Sequence, residues 1–415
     1  MLFYLLACPA EPDPAGDSAA DAVVDPAVDV AWFGDVEPIV SENCSGCHVE
    51  GGVGAFPLDT FAAAAPMAGA MADAVGARRM PPWKAAPACD EYAGDISLTD
   101  GEIARISQWA EAGAPEGDPK LSMHVEPAVA TLSRVDHVLS LPTPYLPQIA
   151  PDDYRCFLID WPETEPMFIT GYRVNPDATA VVHHLVAYVV PPEQVDDYLE
   201  KDGEDITEGW TCYGGPGVGS PADAQWLGGW APGAQSGDFP NNTGIYVEPG
   251  SMVVLQMHYN TATAEAEADQ TTMDVMVDAD VEFPAYVQPW ADPRWLFGGM
   301  DIPANSEGTS HSFTYAFGAN EAPFRVHTAN LHMHNLGETA ELLIDRVDGS
   351  EDCMLSIDDW DFNWQRTYVL AEPKQIEVGD SITITCSWDN PTDEDIAWGE
   401  GTGDEMCLGT MLFSL

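Results

Sequence analysis

The sequence predicts a mainly β protein: two consecutive antiparallel β-sandwiches of jelly-roll type, preceded by a small α-helical domain. Three observations predict it. Helical periodicity is confined to the first part of the chain and stops after Gly117-Asp118-Pro119. Beyond that point residues 154–159, 181–190, 252–258, 273–277 and 381–385 alternate or run apolar at strand length. Turn-rich pieces such as Gly214-Gly215-Pro216-Gly217 and Pro240-Asn241-Asn242-Thr243-Gly244 separate these runs, in a chain with 36 glycines and 34 prolines.

The 415 residues carry 69 acidic against 14 basic side chains, a formal charge of −55. So negative a field argues against nucleic acid and anionic membrane surfaces as partners. At the N-terminus Leu5-Leu6-Ala7-Cys8 reads as a bacterial lipobox, with Cys8 as the lipidated residue. The stretch before it is short and lacks basic residues, so the competing reading is an ordinary apolar start. Residues 9–30, rich in Pro, Ala and Asp, form a self-repelling linker. No other segment approaches the roughly 18 apolar residues of a membrane span, so membrane contact is expected only through the lipid.

Next comes Cys44-Ser45-Gly46-Cys47-His48, the C-x-x-C-H attachment sequence of a c-type haem: two thioethers from Cys44 and Cys47, one axial ligand from His48. A redox dithiol and half of a zinc site are the alternatives, but no second C-x-x-C completes a zinc ribbon. Residues 58–78 are Ala-rich and helix-compatible. Residues 97–113 form a second helix, with a Thr99/Glu102 capping box and with Ile103, Ile106 and Trp109 on one face. Residues 31–118 therefore resemble a small cytochrome c domain. That resemblance implies a methionine sixth ligand, for which Met80 is the choice over Met67 and Met71, since prolines stiffen the loop after it.

Histidines are few, ten in all, and five fall in three strand-like settings. His183 and His184 are adjacent in an apolar run, where alternation sends them to opposite faces unless a bulge or strand end re-aims one. Taken alone, this pair reads more simply as two separately hydrogen-bonded histidines, one in the core and one at the surface. His258 closes the run Leu255-Gln256-Met257-His258-Tyr259, and His332 and His334 share one face by period-2 geometry. Met406 stands in Asp404-Glu405-Met406-Cys407. Imidazoles together with a thioether suit copper, which cycles between a harder and a softer oxidation state.

The order of these four motifs, with Gly337 three residues after His334, resembles the copper type II ascorbate-dependent monooxygenases over roughly residues 120–415. The resemblance implies one copper on His183, His184 and His258, which stores an electron. It implies a second on His332, His334 and Met406, where O2 binds and a substrate C–H bond is attacked, the two centres facing a solvent-filled cleft. His327 in Val326-His327-Thr328 rivals His332, and Met411 rivals Met406. The resemblance also selects the disulfides Cys156–Cys212 and Cys386–Cys407; Cys89 and Cys353 either pair across domains or stay reduced. Asn330, Leu408 and Thr410 stand where the peptide-hydroxylating members have arginine, asparagine and tyrosine, so their substrate anchors are lost. Trp210, Trp226 and Trp230 read as a binding surface or, more simply, as packing.

The expected organisation is residues 1–30 signal remnant and linker, 31–118 haem domain, 119–270 and 271–415 the two copper sandwiches. The expected activity is hydroxylation of a small organic molecule with O2, in the bacterial periplasm or cell envelope, with electrons from an ascorbate-like reductant or a redox protein through the fused haem. A non-catalytic copper and haem electron-transfer protein is the alternative, and an adhesion module without metals a third reading.

Overall fold

The structure is a computed structural model and describes residues 30–50, 54–125, 132–219, 224–231, 237–262, 264–401 and 403–415. Cys8 and most of the linker lie outside the described residues. The chain divides into two units: Met1–Pro81 with Leu98–Pro127, and Pro82–Ser97 with Ala128–Leu415. The region expected to be one continuous haem domain is thus interrupted. Its residues 82–97 belong to the second unit, because the backbone at Tyr92 and Ala93 pairs with a β-strand there and Cys89 is disulfide-bonded to Cys353.

The first unit is helical: α1 (Glu37–Asn43), α2 (Phe61–Ala64), α3 (Ala68–Gly76) and α4 (Asp100–Glu111). A short 3-10 turn through Pro66 joins α2 to α3, so the Ala-rich stretch is helical but broken where proline lacks a donor. Thr99 and Glu102 form the expected capping box on α4. Gly113 follows at φ +83°, the left-handed stop that glycine adopts without cost. Trp32, Val36, Val40, Met71, Ile106 and Trp109 pack its core.

The second unit holds β1 (Tyr92–Ala93), β2 (His137–Ser140), β3 (Asp152–Asp160), β4 (Met167–Asn175), β5 (Val182–Val190), β6 (Trp210–Thr211), β7 (Gln225–Trp230), β8 (Thr243–Val247), β9 (Met252–Asn260) and β10 (Thr272–Asp278). It continues with β11 (Phe283–Trp290), β12 (Asp301–Ile302), β13 (Ser306–Ala316), β14 (Phe324–His332), β15 (Gly337–Asp345), β16 (Glu351–Ile357), β17 (Tyr368–Ile376), β18 (Ser381–Asn390), β19 (Ile396–Ala397) and β20 (Leu408–Ser414). Helix α5 (Val195–Asp202) follows β5. Among the described residues pairing is antiparallel except where β11 runs parallel to β8 and at one isolated bridge between Trp398 and Glu405.

Two layers enclose the first core. Strands β7-β5-β9-β3-β6 make one, and β2, β10, β4 and β8 the other. Between them lie Phe157, Ile169, Leu185, Leu255, Met257 and Val275. The alternation of β9 shows how the sequence specifies this: Val253, Leu255, Met257 and Tyr259 enter the core, and Val254, Gln256 and His258 take the other face. Strand β10 pairs with β2 and β4, so the first sandwich runs past the expected division at residue 270. In the second sandwich β13-β18-β15-β16 faces β1-β17-β14-β20-β11 across a core of Leu331, Met333, Leu342, Ile384 and Trp388.

The expected disulfides Cys156–Cys212 and Cys386–Cys407 are present, and Cys89 pairs with Cys353. Trp210 is buried, with its indole N–H donated to the Pro216 carbonyl, and Trp226 packs edge-on against Tyr188. These tryptophans take the packing role.

Candidate metal centre

A bulge builds the first histidine cluster. In the β5–β9 register Val182 faces Tyr259 and His184 faces His258, with His183 as the extra residue between them. Both Val182 and Leu185 are buried in the first core. Three steps separate these two core residues instead of two, so His183 and His184 both leave the core on the same side.

The His184 Nδ1 stands 3.3 Å from the Nδ1 of His183 and 3.3 Å from the Nδ1 of His258. Two donors about 2.0 Å from one ion at a tetrahedral angle stand about 3.3 Å apart, so the trio has the spacing of a ligand set. Its protonation agrees. His258 shares its Nε2 proton with the Asp152 carboxylate at 2.9 Å, which leaves the Nδ1 lone pair turned toward its neighbours. Asn260 donates to the same carboxylate oxygen at 2.8 Å. The Tyr154 ring stacks on His258 at 4.0 Å and 8°, and its hydroxyl donates to the Glu400 carbonyl.

Burial, then the neighbouring His258 and His183, holds His184 well below its ordinary range. Burial, then His183, pushes His258 down to about 4, against the pull of Asp152. His183 is also lowered, by burial first and His334 next. Neutral imidazoles are the ligating form.

The second cluster uses the other ring nitrogen. His332 and His334 lie on one face of β14 and its extension, their rings 5.1 Å apart, while Leu331 and Met333 enter the core. His334 donates from Nδ1 to the Asp404 carbonyl at 2.9 Å, and the His332 Nδ1 bonds the Gln365 side chain. Each therefore turns its Nε2 away from these partners. Burial, then His334, pushes His332 down to about 3.

Met406 is buried, and its neighbours tie it to this turn. The fully buried Glu405 carboxylate accepts the backbone N–H of His334 at 2.9 Å, that of Leu336 at 2.6 Å and the Trp388 indole N–H at 2.9 Å. Cys407 is clamped to Cys386 on the other side.

Two rivals stand elsewhere. His327 bonds the Ser414 hydroxyl and Asn241, and Met411 is a core residue of the second sandwich.

All five histidines line one cavity of about 10 Å³, together with Tyr154, Phe362 and Glu400. The resemblance implied a solvent-filled cleft. Here the Phe362 ring fills the space, stacked on His183 at 5.3 Å and edge-on to His334 at 5.9 Å. Sequence reasoning missed Asp152, Tyr154, Phe362, Gln365 and Glu400. Only Asp152 and Tyr154 left a trace, since both stand in the strand that carries the disulfide cysteine Cys156.

The donor set fits copper: imidazoles with both choices of nitrogen, and a buried thioether, Met406, next in sequence to the Glu405 that accepts the His334 backbone N–H, though not itself among the residues lining the cavity. In the first unit Cys44 and Cys47 are not disulfide-bonded, and the His48 Nδ1 bonds the Phe56 carbonyl at 2.9 Å. Gly54 is required there, since a Cβ would come within 2.6 Å of that Nδ1.

Comparison with known proteins places the site in context. Residues 141–266 match the N-terminal domain of copper type II ascorbate-dependent monooxygenases, and residues 299–413 match their C-terminal domain. The chain is 25% identical over 257 residues to DBH-like monooxygenase protein 1 of Gallus gallus, covering 58% of this chain and 40% of that protein. Among solved structures, the infectious bursal disease virus VP2 subviral particle aligns over 69% of this chain and 75% of its own at 10% identity, TM-score 0.18. Bacillus subtilis oxalate decarboxylase aligns over 70% and 79% at 8% identity, TM-score 0.12; neither score implies a common topology. By its two matched domains, the chain belongs to the copper type II ascorbate-dependent monooxygenase family.

Proposed function

We propose that this chain is a monooxygenase holding copper in two mononuclear sites, His183, His184 and His258 in one and His332, His334 and Met406 in the other. The single observation that carries the reading is the convergence of three neutral imidazole Nδ1 atoms at 3.3 Å spacings, inside the matched N-terminal domain. Bound copper supplies one-electron storage at the first site and O2 activation at the second. The balance is substrate C–H, O2, two electrons and two protons giving C–OH and water.

The protein's own groups divide the remaining work. Asp152 holds His258 in the tautomer that offers Nδ1. The Asp404 carbonyl holds His334 in the tautomer that offers Nε2. Glu405 and the Cys386–Cys407 disulfide fix the turn carrying Met406, since a weak thioether donor binds well only when held in place. Phe362 packs between the clusters, stacked on His183 and edge-on to His334.

The first unit carries a c-type haem on Cys44, Cys47 and His48, with Met80 opposite, and delivers electrons alongside or in place of ascorbate. The His48 Nδ1 bond to Phe56 supports this, because it leaves Nε2 for iron. Cys8 anchors the exported chain in the cell envelope by lipid.

One observation favours a second reading, an electron-storing copper and haem protein without hydroxylase activity: a cavity of about 10 Å³ admits no organic substrate until Phe362 moves. The test is metal content of protein matured in a host able to attach haem, followed by a screen for oxygen-18 incorporation into small organic compounds. About two coppers and one haem per chain are expected, with His183→Ala and Met406→Ala each losing about one copper. Haem without copper overturns the monooxygenase reading, and copper without any labelled product favours the second.

A further inference from the structure

Glu400 is the one carboxyl among the cavity-lining residues. It sits in the loop before Met406, with its backbone carbonyl tied to the Tyr154 hydroxyl and its Oε1 beside Gly214, 3.4 Å from where a Cβ on that glycine would stand. Its Oε2 is buried with no hydrogen-bond donor among the described residues. No salt bridge to it is found among them either. A buried carboxyl without a cation is costly, and such groups persist where a positive charge arrives to compensate them. The neighbouring trio of imidazole lone pairs is built to hold such a charge.

Direct ligation does not fit. The donors lying within 4.8 Å of one another are those of His183, His184 and His258, without Glu400. A single water extends the reach of an ion held by the trio, since an ion–oxygen bond of about 2 Å followed by a hydrogen bond of about 2.7 Å sums to about 4.7 Å. The cavity, about 10 Å³, has room for about one water.

We propose that Glu400 acts on the three-histidine site through a single water, its orphan Oε2 accepting that water's hydrogen bond and so favouring the doubly charged cupric ion over the cuprous one. The inference rests on the copper reading above. Glu400 is a positioning residue here: it orients the water and adjusts the charge felt by the ion, and it breaks no bond. A carboxylate stabilises a dication more than a monocation, so its removal changes the two affinities unequally.

The test uses the full chain carrying Met406→Ala, so that the first site is read alone. Cupric and cuprous affinities are measured by chelator competition, together with the cupric electron paramagnetic resonance spectrum. For Glu400→Gln the cupric affinity falls about tenfold while the cuprous affinity changes less than about twofold. The midpoint potential rises by about 60 mV, the tenfold ratio for a one-electron couple. Glu400→Asp recovers part of the cupric affinity. Unchanged cupric affinity and spectrum in Glu400→Gln overturn the proposal, as does an equal loss of both affinities, which marks a merely structural role. A wild-type chain that takes no copper on the trio overturns this proposal together with the copper reading; a loaded chain indifferent to Glu400→Gln overturns this proposal alone.

Discussion

His183 and His184 are neighbours in sequence, and on a flat strand they face apart. They converge because the core claims Val182 and Leu185 with two residues between them. His258 completes the trio, and Asp152 sets its tautomer. Asp152→Asn should therefore weaken copper at the first site about 10- to 100-fold while leaving the second unchanged, as counted by site-resolved copper titration. The same histidines set an acid response. His258 has an ordinary value of 6.5 and is pushed down to about 4 in the folded chain. The unfolded chain takes up that proton first as pH falls, so the metal-free protein should lose stability between about pH 6.5 and 4. Thermal melts across that window check it: a flat melting temperature in the wild type would contradict the burial of these imidazoles, and His258→Asn should flatten the slope.

At the scale of elements, residues 82–97 leave the first unit to become part of the second. Strand β1 pairs with β17, Cys89 is bonded to Cys353, and Lys84 pairs with Asp359 at 2.8 Å. Trp83 lies under the Arg366 guanidinium at 4.9 Å and edge-on to Tyr368 at 5.0 Å. These contacts bracket the loop between β16 and β17 that carries Phe362 and Gln365. Replacing Cys89 and Cys353 together by serine should lower stability by about 2–4 kcal/mol and speed amide hydrogen exchange over residues 358–367, followed by mass spectrometry. Unchanged exchange there would show that the strap does not brace this loop. Of this the sequence offered only the Cys89–Cys353 pairing, as one of two alternatives; the rest was hidden because the strap is a short irregular piece with no period of its own. The long strands were legible: alternation in β9 and the period-2 spacing of His332 and His334 state which side faces the core. The bulge in β5 left only a faint sign, the spacing of Val182 and Leu185.

Over the whole molecule, five histidines spread from residue 183 to residue 334 meet in one cavity. Their family order in the sequence implied two centres facing a solvent-filled cleft, and not this one small cavity. Phe362, Gln365 and Glu400 stayed hidden because each is a single residue outside the regular strands, and a lone side chain there carries no pattern until the fold places it. The net charge of −55 acts at this scale too, since self-repulsion opposes compaction and salt screens it. The melting temperature should rise between about 10 mM and 500 mM sodium chloride, where the screening length falls several-fold; a flat response would mean that the acidic side chains are already compensated.

Strand β11 bears on how the site is reached. It pairs with β20 of the second sandwich and with β7 and β8 of the first, so the two layers meet in one hydrogen-bonded ladder instead of at a linker. A ladder of this kind resists the swing of one sandwich against the other, and the two histidine clusters are mounted on a common chassis. Entry to the cavity then falls to the side chains and loops around Phe362, whose motions run over nanoseconds to microseconds, well ahead of the microsecond-to-millisecond opening of hinged domains. Such a molecule is entered by a small door in a fixed wall, and a viscous solvent, which drags on moving domains, should leave its turnover almost untouched.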